Sequence, residues 1–158
     1  MSKRKILRFI VCSIMSLMFF CLSAVGVFAT PEVLSRDAIS TRDGLVTVCA
    51  PENVYSSTTN RKLAISAVAS PGTIVTVYRY DPNTLCFHKM WVNGEALEAS
   101  VGSSWLFATQ VDLQPGMNQF LVRGAWDENT YSITRFDVNL LNEGFMDRVK
   151  GVISVIFN

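Results

Sequence analysis

Val101 to Asp127 reads VGSSWLFATQVDLQPGMNQFLVRGAWD. Trp105, Phe107, Val111 and Leu113 fall at even spacings, with Thr109 between them. After Pro115-Gly116 the residues Phe120, Val122, Gly124 and Trp126 repeat that spacing. A period of two places side chains on one face of a strand. Pro-Gly between two such runs marks a turn. The stretch therefore predicts two strands joined as a hairpin or at a sandwich corner. Phe107, Val111, Phe120 and Val122 are expected at the centre of the core, with Trp105 and Trp126 on the same buried face.

The neighbouring segments fit around this pair. Leu45–Ala50 reads as a first strand stopped by Pro51, and Glu52–Asn60 as a Ser/Thr/Asn-rich loop. Arg61–Ser70 carries Leu63, Ile65, Ala67 and Ala69 on one face, and Thr73–Tyr80 carries Val75 and Val77 inward. Cys86–Val92 pairs as a short strand, and Asn93-Gly94 is a tight-turn signal with φ > 0 at both residues. Tyr131–Leu141 is the last strand, with Phe136, Val138 and Leu140 facing the core. About seven strands at short intervals, punctuated by Gly, Pro and Asn, predict an all-β sandwich over residues 45–141.

On these residues the chain resembles the bacterial immunoglobulin-like domains of exported Gram-positive proteins. The resemblance rests on Gly72-Thr73 leading into Val75-Thr76-Val77, and on the Leu113, Gly116 and Asn118 turn. It covers about residues 45–140. It implies an immunoglobulin-like fold and is nearly silent on function. Such domains often carry glycine before a Leu/Ile-Phe pair, where this chain has Trp105. The bulky ring argues against a positive-φ turn at that residue.

The N-terminus has a different character. Lys3, Arg4, Lys5 and Arg8 precede an apolar run to Phe28, and Val27-Phe28-Ala29 places small residues at −3 and −1. This pattern predicts a secretory signal peptide over residues 1–29, with an uncleaved anchor as the alternative. Its removal leaves ten Lys and Arg against thirteen Asp and Glu, a net charge of −3. No basic patch remains to attract a phosphate backbone, so nucleic acid is not expected as a partner. Localisation is expected to be secreted or envelope-associated, with no membrane span after cleavage. Residues 30–44 are polar and read as a mobile leader.

Cleavage also leaves two cysteines, Cys49 and Cys86, which in an oxidising compartment are candidates for one disulfide or for two small buried hydrophobes. His88 shares a strand face with Cys86, the arrangement of a thiol beside a base. No Asn or Asp is placed to orient the imidazole, and no further ligands complete a zinc site. Asp81, Asn83, Asp127, Glu128 and Asn129 fall in turns, where ordinary backbone bonding accounts for them better than calcium does. No catalytic residue, metal or cofactor is assigned.

Tyr78 and Tyr80 lie opposite Val75 and Val77. If that face is outward, they form with Trp91 and Phe87 an aromatic platform of the kind that binds carbohydrate or peptide. Residues 142–158 switch to helical spacing. A short amphipathic helix is expected, apolar nearly all round at its end. It would offer Val152, Val155, Ile156 and Phe157 to a protein partner or a second copy. The sequence thus favours a non-catalytic immunoglobulin-like module acting in binding or assembly at a bacterial envelope or matrix. The alternative is a carbohydrate-binding module for a cell-wall glycan.

Overall fold

A computed structural model of the chain describes residues 29–142 and Gly144. The predicted signal peptide up to Phe28 and all of the predicted C-terminal helix but Asn142 and Gly144, with Val152, Val155, Ile156 and Phe157, lie outside the described residues. Within them the chain forms twelve strands, more than the seven expected because short pairings join the long ones. They are β1 (Val33–Ser35), β2 (Val46–Ala50), β3 (Tyr55–Thr58), β4 (Lys62–Ala69), β5 (Ile74–Asp81) and β6 (Cys86–Lys89), followed by β7 (Trp91–Val92), β8 (Glu95–Ala96), β9 (Glu98–Ser100), β10 (Leu106–Asp112), β11 (Gly116–Ala125) and β12 (Tyr131–Leu140).

The strands form two main sheets. The large sheet has the order β1-β6-β5-β11-β12-β3, with β9 on the β6 side of β5 further along that strand. The small sheet has the order β10-β4-β2, and β7 and β8 form a separate hairpin. The 101–127 stretch is therefore a corner between sheets: among the described residues β10 pairs with β4 alone, and β11 pairs with β5 and β12. Asn118 holds this corner. It is buried, its Oδ1 accepts from the Gln114 N–H at 2.8 Å, and its Nδ2 donates to the carbonyls of Gln114 at 2.7 Å and Gly116 at 3.0 Å. Gly116 takes φ +86°, which a side chain would oppose.

One core joins the two sheets. Val46, Ile65, Ala67, Phe107 and Val111 meet Val75, Val77, Phe120, Val122, Phe136 and Val138. The Phe120 and Phe136 rings stack at 5.4 Å. Gly124 sits where β2 presses on β11: a Cβ there would lie 2.6 Å from that of Val46.

Four expectations are corrected. Residues 52–60 are not all loop, because Tyr55–Thr58 pairs in parallel with Asp137–Leu140. An edge strand held by backbone bonds needs no apolar face, so its Ser and Thr gave no strand signal. Residues 30–44 are not a mobile leader, because Val33–Ser35 pairs with Cys86–His88. Trp126 is not core: it is half-exposed, with its ring under Arg42 at 4.4 Å and its Nε1 donating to Thr73 Oγ1 at 3.0 Å. Trp105 is also half-exposed and adopts φ +61°, the turn conformation its ring argued against.

Replacing Phe120 with Ala should lower the unfolding free energy by about 3–5 kcal/mol. Adding the Cβ of Gly124→Ala should cost about 1–3 kcal/mol by overpacking. Urea unfolding measures both. A loss below about 1 kcal/mol for Phe120→Ala would place that ring outside the core.

Candidate functional site: the outer face and the edge groove of the large sheet

The predicted aromatic platform does not stand in solvent. On the outer face of β5, Tyr78 is fully buried against Phe87 and Leu121, with Leu34, Tyr80 and Ile133 around them. The Tyr80 ring tilts against Phe87 at 5.4 Å and has the Arg36 guanidinium over it at 5.7 Å. The sheet therefore carries a second apolar cluster on the side away from the main core. Residues 29–42 cover it.

This strap is held by polar contacts along its length. The Tyr78 hydroxyl donates to the Pro31 carbonyl at 2.9 Å. Lys89 Nζ donates to the Thr30 carbonyl at 2.9 Å and pairs with Glu32 at 2.8 Å. The Thr30 hydroxyl donates to Glu98. Across the sheet, Arg135 donates to the carbonyls of Arg36 and Ala38, and the Ile133 N–H donates to Ser40 Oγ at 3.0 Å. Thr41 closes the strap against Tyr131 in both directions: its hydroxyl donates to the Tyr131 carbonyl and accepts from the Tyr131 N–H.

Arg123 lies under the strap, 1% exposed, with its guanidinium 4.4 Å from the centre of the Tyr131 ring. One nitrogen donates to the Glu128 carbonyl at 3.3 Å, and Nε and Nη1 find no partner among the described residues. Burial lowers its pKa. Sequence reading passed over Arg123. The signal was a charge inside the apolar run Phe120–Ala125, which requires a covering partner on that face.

A groove of about 450 Å³ lies at the other side of β5, bordered by Arg79, Tyr80, Asp81, His88, Trp91 and Gln114. Trp91 is more than half exposed. Tyr80 borders the groove, though its ring is engaged by Phe87 and Arg36. Of the predicted platform, Trp91 alone offers a free ring here, and Tyr78 offers none. A larger hollow of about 510 Å³ lies between Thr59–Arg61 and Leu140–Asn142 and holds none of the predicted site residues.

The remaining candidates are not brought together. Cys49 is on β2 of the small sheet and Cys86 begins β6 of the large one, and both thiols are free, so of the two readings the bridge is not formed. His88 Nε2 is 2.7 Å from Thr84 Oγ1. Asp81 and Asp127 stand at opposite ends of the β5–β11 pair, because Ile74 faces Ala125 and Asp81 lies seven residues further on. Each satisfies its own turn: Asp81 accepts from the Asn83 N–H, and Asp127 from those of Asn129 and Thr130. These turn bonds hold the Asp127 carboxyl below its ordinary pKa. Comparison with protein-family models, with curated proteins and with solved structures finds no match.

Burial beneath the strap pushes the Tyr78 phenol up to about 12 from an ordinary 10.0, against the lowering effect of Arg123. Between those values the folded chain keeps a proton that the unfolded chain has lost, so stability falls as pH rises through that window. Tyr78→Phe should make the alkaline part of the stability profile flatter. An unchanged slope would show that the phenol is not shielded by the strap.

Proposed function

We propose that this chain is an exported, non-catalytic module with an immunoglobulin-like β-sandwich, acting in binding or assembly at a bacterial cell envelope or matrix. The order of the strands carries the reading. The order β10-β4-β2 supports it by its likeness to E-B-A of such a sandwich, and β5-β11-β12 by its likeness to C-F-G. The left-handed backbone of Trp105 adds support. It is the conformation that glycine supplies in the family the sequence resembles.

Carbohydrate binding is the second reading, favoured by Trp91. A half-exposed indole beside Arg79, Asp81, His88 and Gln114 combines a flat apolar surface with planar hydrogen-bonding groups, which suits a sugar ring. Two measurements test the proposal. Protein recovered from the medium or envelope of an expressing bacterium should begin at Thr30; recovery only from the cytoplasm, with residues 1–29 intact, would contradict export. Tryptophan fluorescence should stay unchanged on adding soluble glycans or peptidoglycan fragments if the module binds protein. A response abolished by Trp91→Ala would establish the carbohydrate reading instead.

A further inference from the structure

The two main sheets end in strands of very different character. β1 and β9 have three residues each and β3 has four. β2 is interrupted by a register shift between Val48 and Ala50 and stopped by Pro51. β10 runs seven residues in unbroken register with β4, without proline, lysine or bulge. Short strands, bulges and prolines blunt edges against further pairing, and β10 has none of these devices.

The hydrogen bonds at its ends show which groups it leaves open. The Trp105 carbonyl accepts from the Ala69 N–H at 3.0 Å, and the Leu113 N–H donates to the Arg61 carbonyl at 2.7 Å. Odd-numbered residues therefore turn their backbone groups toward β4, and even-numbered ones turn theirs outward. Ser104 meets the Leu106 N–H, and Arg79 meets the Asp112 carbonyl. The N–H groups of Ala108, Gln110 and Asp112 have no backbone partner among the described residues.

Beyond that edge the large sheet continues. β5 carries β6, and β6 carries β1, against a small sheet of three strands. The 450 Å³ groove lies where this overhang meets Gln114, two residues past the end of β10. Arg79 stands opposite His88 in the sheet, and the Met90 N–H bonds the Val77 carbonyl two residues back along β5. Arg79 with His88 and Val77 with Met90 are thus offset by two residues, the same-face period of a strand, and Trp91 follows on the groove's border. Arg79 Nε is buried without a partner among the described residues, and Asp81 Oδ1 is taken by Asn83.

We propose that the open edge of β10 receives an extended segment of a partner protein as a fourth strand of the small sheet. An acidic side chain of that segment faces Arg79 and His88, and an apolar one, two residues along, faces Met90 and Trp91. Main-chain bonds to Ala108, Gln110 and Asp112 supply affinity, and the groove supplies selectivity. A second copy joined through its own β10 fits poorly, because both overhanging sheets would enter the same space. This inference rests on the binding reading above.

The test uses a nine-residue synthetic peptide of alternating threonine and valine, with aspartate in place of its central valine. On its addition, amide exchange followed by NMR should slow at Ala108, Gln110 and Asp112. Gln110→Pro should abolish binding while leaving the β4 side paired, since the lost N–H points outward. An asparagine in place of the peptide's aspartate should weaken binding about tenfold. Absence of binding, protection at β1, β2 or β3 instead, or full binding to Gln110→Pro overturns the proposal. So does protection of these amides before any peptide is added: in a dimer it assigns the edge to a second copy, and if removed by truncation after Leu141, to the chain's own end. Glycan fluorescence is read at Trp91 and is independent of Gln110→Pro, so failure here is distinguishable from failure of the binding reading.

Discussion

β5 and β11 are buried on both faces, and the rest of the structure follows from that constraint. Their inward residues, Val75, Val77, Phe120 and Val122, meet the small sheet. Their outward residues, Thr76, Tyr78, Leu121 and Arg123, are equally shielded. The small sheet can cover one face only. The other needs a second layer, and the chain supplies it from its N-terminal segment, where side chains such as Leu34 lie on Tyr78, Phe87 and Leu121. Burying side chains of this size is worth about 1.5–3 kcal/mol each, enough to fix an otherwise polar strap in place.

Electrostatics make that cover specific. Lys89 is nearly buried, and it is satisfied by the Thr30 carbonyl and by Glu32 and Glu98 at 2.8 and 3.5 Å. Arg123 is buried more deeply and relies on Tyr131 and the Glu128 carbonyl. Two cations beneath one strap would be costly if it lifted only in part, because each would lose partners before regaining water. The strap is therefore expected to dock as a unit, and the groove on the far side of β5 stays outside it.

Much of the main core was legible. Strict alternation at Leu63–Ala69, Val75–Val77 and Phe136–Leu140 named the inward face of three strands, and Asn93-Gly94 does take φ of +53° and +84°. The second core was not legible, because Tyr78 and Tyr80 alternate correctly for either a solvent platform or a covered face. Only the tertiary position of residues 29–42 decides between them. That segment is mostly polar, and part of its hold on the sheet comes from the backbone carbonyls of Thr30, Pro31, Arg36 and Ala38, which carry no sequence signal. β3 was hidden for the same reason. Trp91 survives as a site candidate because its hairpin is separate from the two main sheets and its ring is exposed, whereas Trp105 and Trp126 kept the right period but lie at strand ends.

The most direct test compares the chain beginning at Thr30 with one beginning at Leu45, by chemical unfolding and by binding of an apolar fluorescent dye. If residues 30–44 are the outer layer of the large sheet, the shorter chain should lose several kcal/mol of stability and bind the dye through newly exposed Tyr78, Phe87 and Leu121. Equal unfolding midpoints with no dye bound to either chain would contradict the account and return the segment to a peripheral tail.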